Sequence, residues 1–498
     1  MGSRGGLNPR TTPFPATPAG RLCTLLAFAK LALIVPILER YGWDRDELYF
    51  LAAGRHLALG YVDFPPLTAW AARLVDGTVG PSLITLRLLS SLFAIVAAVA
   101  VGAIARELGA GSRLQVLATA AWLATPFGLG GAVLFHPTFL DLAATSLALL
   151  AATRLVVRGE PRQWLLLGLW GGVGLESKYT IVVPLAVFLA GCALWRRDLL
   201  LRREALYGVA IAVGLLIPNV VWEITHRWVS LDFASSQHAK TASDSPPLVY
   251  AGQVFAFLGI GAVLVVLGLV WLWRRPHLRP LALTSVAPAV LFGLEQGRSY
   301  YALPAMLPAL AAGCLALAER RPRRRALAGL GIVHAAVLVL AVPLIVPVLP
   351  ARQLVSTGTW NRSFWKDEIG WHELVAQTAT AWRSRTPAER AAGAIVAGNY
   401  GVAGALSLFG PAAGLPAPLS GHLSFQYWHP RRMPERAVLL VGFGEGDAQA
   451  HCAQATVLAV VDNRWHIDNE ERGRPIVWCR LRAPLGQLWK RSFATARL

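Results

Sequence analysis

The feature that most constrains this chain is the recurrence of apolar runs near twenty residues long, set apart by short polar segments. A helix rises about 1.5 Å per residue and the hydrocarbon core of a bilayer is about 30 Å thick, so each such run matches one crossing. About eleven runs have this character. They lie near 22–39, 83–104, 115–135, 138–157, 163–176, 179–195, 205–222, 250–273, 281–294, 301–318 and 326–349. The runs at 163–176 and 281–294 are short, which fits tilted neighbours, re-entrant segments or fraying at a functional loop and leaves the count open by about one or two. Composition agrees: 55% of the residues are apolar and 15% charged, whereas soluble domains carry about a quarter charged residues. The net charge of +19 is no nucleic-acid footprint, because the basic residues come as short clusters between apolar runs rather than along one face.

Those clusters set a register. With Arg4, Arg10 and Arg21 cytoplasmic, every second connection is basic: Arg106/Arg113, Arg154/Arg158/Arg162, Arg196/Arg197/Arg202/Arg203, Arg274/Arg275/Arg279 and Arg320/Arg321/Arg323/Arg324/Arg325. The segments 40–82, 135–138, 176–179, 223–249 and 295–300 then face outward, with everything after about 350. The first run has no small-residue cleavage site and reads as an uncleaved anchor in a plasma (inner) membrane. Residues 1–349 form the membrane part. Residues 350–498 change to a soluble composition: 364–382 has helical spacing, and AIVA, RAVLLVGF, ATVLAVV and PIVWCRL read as short buried strands, together a small α/β domain on the outer face. Cys452 and Cys479 are its only cysteines, and an oxidising compartment permits a disulfide between them; two buried thiols are the alternative.

The first outward loop, WDRDELYFLAAGRHLALGYVDFPP at 43–66, holds Asp44, Asp46, Glu47 and Asp63. Asp44-x-x-Glu47 has the spacing of a capping box, and Asp46 suits the positive end of a helix dipole. The spacing predicts an amphipathic helix over about 46–59 and a second over 67–76. Two helices lying in the interface set an acid at the start and another at the elbow of a membrane-edge cavity, where ionisable groups carry function.

The string D-E-L-Y-x-x-x-A-x-x-x-L-x-x-G-Y-V-D-x-P-P resembles the first outward loop of C-type glycosyltransferases, specifically the bacterial relatives of protein O-mannosyltransferases and aminoarabinose transferases in glycosyltransferase family 39. GLESKYT at 174–180, PNVVWEITHRW at 218–228, GRSYYALPAMLP at 297–308, GNYGVAGAL and a later LSGH are similar too. The resemblance implies a polytopic enzyme that takes a sugar from a polyprenyl-phosphate carrier and passes it, with inversion, to a lipid, glycan or protein acceptor on the outer face. Such a reaction needs a base near the acceptor hydroxyl and cations at the departing phosphate. By resemblance Asp46 is the base, with Glu47 its orienting neighbour or helix support. Helix-start electrostatics alone is the competing account of both.

Asp63 matches a carboxylate before Pro-Pro in relatives, where it orients the acceptor or binds a divalent metal; a turn residue is the plain alternative. Some relatives have a lysine at the place of Phe64, so here the phosphate partner comes from elsewhere. Lys178, one of five lysines, and Arg298 with Tyr301 in QGRSYY supply it, or else they are snorkelling anchors. His136 and Asp141 flank a turn and orient the acceptor, or simply cap it. The polar 223–249 segment, with Glu223, His226, Arg227, Asp232, His238 and Lys240, reads as a solvated loop. His, Asp and Glu are too scattered to define a metal site, and no metal is required. Asn361-Arg362-Ser363 and the Gly-rich 442–446 carry no weight alone. A transporter or lipid flippase with an accessory domain is the second reading, disfavoured by the missing internal repeat, and a lipid-binding scaffold is the third.

Overall fold

The computed structural model describes residues 13–130, 133–244, 246–321, 323–356, 364–430, 433, 436–444, 446 and 450–495. Arg4, Arg10, the Asn361–Ser363 triplet and Glu445 of the Gly-rich string lie outside the described residues, as does the side chain of Lys240. The apolar runs are helices. Among the described residues seven are long and apolar enough to cross a membrane: Pro18–Ile37, Leu83–Glu107, Pro137–Arg158, Arg203–Thr225, Pro276–Leu294, Ser299–Arg320 and Ala328–Ile345. Pro247–Leu258 and Gly261–Trp273, bent by 99°, make an eighth if counted as one span, and Gln163–Leu175 and Tyr179–Trp195 are shorter apolar helices. The run read at 115–135 is split into Ser112–Leu123 and Pro126–Gly130, since Pro126 has no N–H with which to continue the preceding helix.

Caps begin these helices where the sequence supplies a short polar side chain. Thr17 Oγ1 accepts from Gly20 N–H at 3.0 Å, and Ser82 Oγ from Thr85 N–H at 3.3 Å. Packing within the bundle depends on small residues. A Cβ on Gly268 would meet Ala309 O at 1.8 Å, and one on Gly313 would meet Leu264 O at 2.0 Å. The helices Gly261–Trp273 and Leu307–Arg320 therefore touch backbone to backbone, the close approach small residues permit inside a membrane.

Beyond the bundle stands a five-stranded sheet: β1 Gly393–Ala397, β2 Leu419–Ser420, β3 Ala437–Val441, β4 Cys452–Val460 and β5 Pro475–Leu481, in the order β2-β1-β3-β5-β4. β1 is parallel to β2 and β3, while β5 is antiparallel to β3 and β4. Helices Trp371–Arg383 and Tyr400–Phe409 complete this α/β unit, and Cys452 is disulfide-bonded to Cys479.

Loop 1 lies between bundle and sheet. Leu48, Tyr49, Phe50, Tyr61 and Phe64 share one apolar core with Leu86, Phe135 and Trp222 of the bundle and with Leu374, Val402, Leu406 and Phe425 of the α/β unit. Arg45 ties the junction by ion pairs to Glu470 and Glu471. Three expectations are corrected. The first loop helix is Arg45–Arg55 and stops short of residue 59, because the buried Tyr61 folds back on its end: its hydroxyl lies 3.1 Å from the carbonyls of Ala53 and His56 and accepts from Ala58 N–H. The second runs on to Val79. The 223–249 segment contains a helix, Val229–Asp244, anchored by Val229 and Phe233, which lie four apart and meet the shared core.

Candidate active site

Loop 1 is fixed from below by Glu47. Asp44 caps the helix at Asp46 N–H, and Glu47 closes the capping box by accepting from Asp44 N–H at 2.9 Å. Both Glu47 oxygens also accept from Arg87, Oε1 at 2.8 Å and Oε2 at 2.7 Å, and Phe135 N–H adds a bond to Oε1 at 2.8 Å. The Glu47 and Arg87 side chains are both fully enclosed. Arg87 also donates to the carbonyls of Leu38 and Gly42 and lies 3.4 Å from Glu368. Burial, reinforced by Glu47 and relieved by Arg87, pushes the Glu368 carboxyl up to about 8. Glu47 has no free lone pair facing a substrate; in this structure it holds the loop.

Its neighbour Asp46 points the other way. Tyr400 Oη, from the α/β unit, donates to Asp46 Oδ1 at 2.8 Å, and Oδ2 lies 3.7 Å from His136 Nε2 with its side chain about a third exposed. His136 caps the helix Pro137–Arg158: its Nδ1 accepts from Thr138 N–H at 3.2 Å and lies 2.8 Å from Thr138 Oγ1. With Nδ1 accepting, the proton of a neutral ring sits on Nε2, toward Asp46. Burial, then Lys178 and Arg298, holds His136 well below the usual imidazole range, so the ring is neutral at pH 7.

Lys178 reaches the same space. Its Nζ donates to Thr138 Oγ1 at 3.1 Å and lies 4.2 Å from the ring centre of Tyr301 and 5.0 Å from that of Tyr300. Burial pushes its ammonium down, Arg298 adds to the fall, and Tyr301, Asp141 and Asp46 oppose it. Arg298 begins the tight helical segment Ser299–Met306 as its N-cap and is exposed at its mouth. Asp141 is buried one turn inside, 3.4 Å from Thr180 Oγ1 and 3.5 Å from Thr145 Oγ1. Asp46, His136, Asp141, Lys178, Arg298 and Tyr301 thus fall in one electrostatic cluster.

Asp63 stands one aromatic ring away. It accepts from Tyr49 Oη at 2.7 Å, that hydroxyl accepts from Ser424 N–H at 3.1 Å, and burial pushes the Asp63 carboxyl up to about 7. Phe64 packs edge-on to Phe50 and stacks on Tyr61. Among the described residues no three His, Cys, Asp or Glu side chains come together as metal ligands. Sequence reasoning missed the role of Tyr400, although GNYG had been noted, because no spacing relates residue 400 to residue 46. It also passed over Arg87, a lone cation inside an apolar run, which was itself a signal of a buried partner.

This arrangement, a carboxylate facing cations beneath a small α/β unit, sits in a fold that solved structures share. The chain superposes on ArnT from Cupriavidus metallidurans in the apo state with TM-score 0.60 at 14% identity, covering 92% of this chain and 98% of that one. Against the crystal structure of the same protein bound to undecaprenyl phosphate the TM-score is 0.58 at 15% identity, covering 94% and 99%. Residues 63–222 match the family model for dolichyl-phosphate-mannose-protein mannosyltransferases, in keeping with the resemblance to glycosyltransferase family 39. Two curated relatives come from Rhizobium johnstonii. The lipid A galacturonosyltransferase RgtD is 26% identical over 216 residues (42% of this chain, 44% of RgtD), and the lipopolysaccharide core galacturonosyltransferase RgtA is 29% identical over 247 residues (48% of each). The chain spans about half the length of these relatives.

Proposed function

We propose that this protein is an integral membrane glycosyltransferase that moves a sugar from a polyprenyl-phosphate carrier to a saccharide-bearing lipid acceptor of the cell envelope. The observation that carries the reading is the opposition of Asp46 to Lys178 and Arg298 in one cluster at the end of the bundle. ArnT, whose fold this chain shares, is bound to undecaprenyl phosphate in its crystal structure, and RgtA and RgtD act on lipopolysaccharide core and lipid A. These support the donor and acceptor classes. The fold does not favour the transporter reading.

In the proposed reaction the acceptor hydroxyl attacks the anomeric carbon as the bond from that carbon to the phosphate oxygen breaks. Asp46 Oδ2 takes the hydroxyl proton while Tyr400 holds Oδ1. Lys178 and Arg298, with Tyr301, offset charge on the departing polyprenyl phosphate. Attack opposite the leaving group inverts the anomeric carbon. Asp141 balances Lys178, His136 orients Asp46 or the acceptor as a neutral donor, and Asp63 steadies Tyr49. The two cations do for the phosphate what a metal does elsewhere, so turnover is expected to survive chelation by EDTA; loss of activity restored by a divalent ion would move Asp63 into a metal site.

The proposed orientation puts the N-terminus in the cytoplasm and residues 350–498 in the periplasm or outside, in the inner (plasma) membrane. The Cys452–Cys479 bond supports it. The test is transfer by purified protein from undecaprenyl-phosphate-linked uronic acid or aminopentose to lipid A or core, read by mass spectrometry. A glycosylated product together with free undecaprenyl phosphate is expected. Transport of the intact donor across a bilayer with no product would overturn the reading.

A further inference from the structure

On the far side of Tyr49 from Asp46 lies a second feature that the reaction above does not use, a cavity of about 310 Å³ between loop 1, the end of the helix Arg203–Thr225 and the segment Ser424–Trp428. Its walls are aromatic. His56 stacks on Trp428 at 4.6 Å and 8°, Trp222 stacks on His226 at 4.0 Å and 14°, and Tyr427 stands edge-on to both Trp222 and His226. His56 and Tyr427 are exposed at the mouth. Gly60 lets the Trp222 indole lie against the loop backbone, since a Cβ there would meet that ring at 2.6 Å.

The backbone around this cavity is held in an uncommon conformation. Of the six non-glycine residues with positive φ among the described residues, three border it: Arg227 and Trp228, which turn the chain just after His226, and Leu423, just before Ser424. Strain of this kind persists where surrounding structure fixes a binding surface. Beside Trp222, Glu223 is buried and its Oε2 accepts no hydrogen bond. Two rings, Tyr49 and Tyr400, separate the cavity wall from Asp46. Trp428 lies 6.2 Å from Tyr49, Tyr49 lies 5.2 Å from Tyr400, and Tyr400 bonds Asp46.

We propose that this cavity is a saccharide subsite, which holds a pyranose ring of the acceptor beside the one that receives the transferred sugar. The inference rests on the transferase reading for the word acceptor, but not for the saccharide. A pyranose has an apolar face of axial C–H groups and a rim of hydroxyls; flat aromatic walls match the first, and the His56 and His226 side chains match the second. The volume is at the lower end of the ~300–1,000 Å³ typical of small-ligand sites, which suits one sugar and its linkage and is small for a lipid anchor.

The test uses full-length protein in nanodiscs and, as probe, the lipid A–core oligosaccharide stripped of its acyl chains, titrated by calorimetry without donor. Wild type is expected to bind, and Trp428→Leu and the exposed-site variants Tyr427→Leu and His56→Ala each to weaken binding about tenfold. The acceptor KM should rise by the same factor while the donor KM stays within about twofold. Wild-type affinity in all three variants, or no binding by wild type, overturns the subsite. Binding that the variants abolish, with no transfer from any donor, would instead leave the subsite standing and remove the transferase reading.

Discussion

Replacing Glu47 by Gln separates support from chemistry, because the two acids adjacent in sequence have opposite surroundings. All four contacts to the Glu47 carboxylate come from N–H donors: Arg87 twice, Asp44 and Phe135. The new amide NH₂ must face at least one of them, leaving a buried donor unpaired at about 1–3 kcal/mol. Arg87 also loses its counter-charge, which alone would cost about 3–5 kcal/mol. Glu368, 3.4 Å away, limits that loss. Its carboxyl titrates near about 8, so ionising it at pH 7 costs at most about 1.4 kcal/mol, and less once Glu47 is neutral. Glu47→Gln is therefore expected to cost about 2–4 kcal/mol, and the Glu47→Gln/Glu368→Gln pair more than the sum of the singles. A raised carboxyl supports the fold at low pH and stops doing so as pH passes its folded value, so wild-type stability declines as pH rises toward 8, and in Glu47→Gln this decline is smaller. The assay is thermal unfolding in detergent, followed by turnover of the folded fraction, with kcat within about tenfold of wild type. Unchanged unfolding with kcat down by about a thousandfold would refute the reasoning and place Glu47 in the chemistry.

Two further perturbations test the site. Lys178→Gln and Arg298→Gln should each reduce kcat/KM for the polyprenyl-phosphate donor by about a hundredfold or more, measured by steady-state kinetics; a loss under about threefold would make them membrane anchors. Tyr400→Phe removes one hydrogen bond to Asp46 and should lower kcat about tenfold with unfolding temperature nearly unchanged; unaltered kcat would deny the α/β unit a part in setting the base.

The apolar spans were legible because apolar length is a local signal. The strands at 393–397, 437–441, 452–460 and 475–481 stood out as short β-rich runs between turns, while the two-residue β2 at 419–420 had too little pattern to see. The site was half legible. Asp46, Lys178 and Arg298 are charges where charge is costly, and each drew attention alone. Nothing in their spacing showed that Thr138 would join His136 to Lys178, or that Tyr400 would arrive from across the chain. Glu47 shows the converse limit: its capping-box position was readable, but its burial against Arg87 depends on tertiary packing. The Val229–Asp244 helix was hidden by its polarity, since its apolar contact with the shared core comes, among the described residues, from Val229 and Phe233.

The most direct measurement is single-turnover release of undecaprenyl phosphate by Asp46→Asn beside wild type, with donor binding titrated in the same preparation. Asn keeps the shape and the partner for Tyr400 but cannot take up the acceptor proton, so release should slow by about a thousandfold while donor affinity stays within a few-fold. Release at the wild-type rate would show that Asp46 accepts no proton in the transfer.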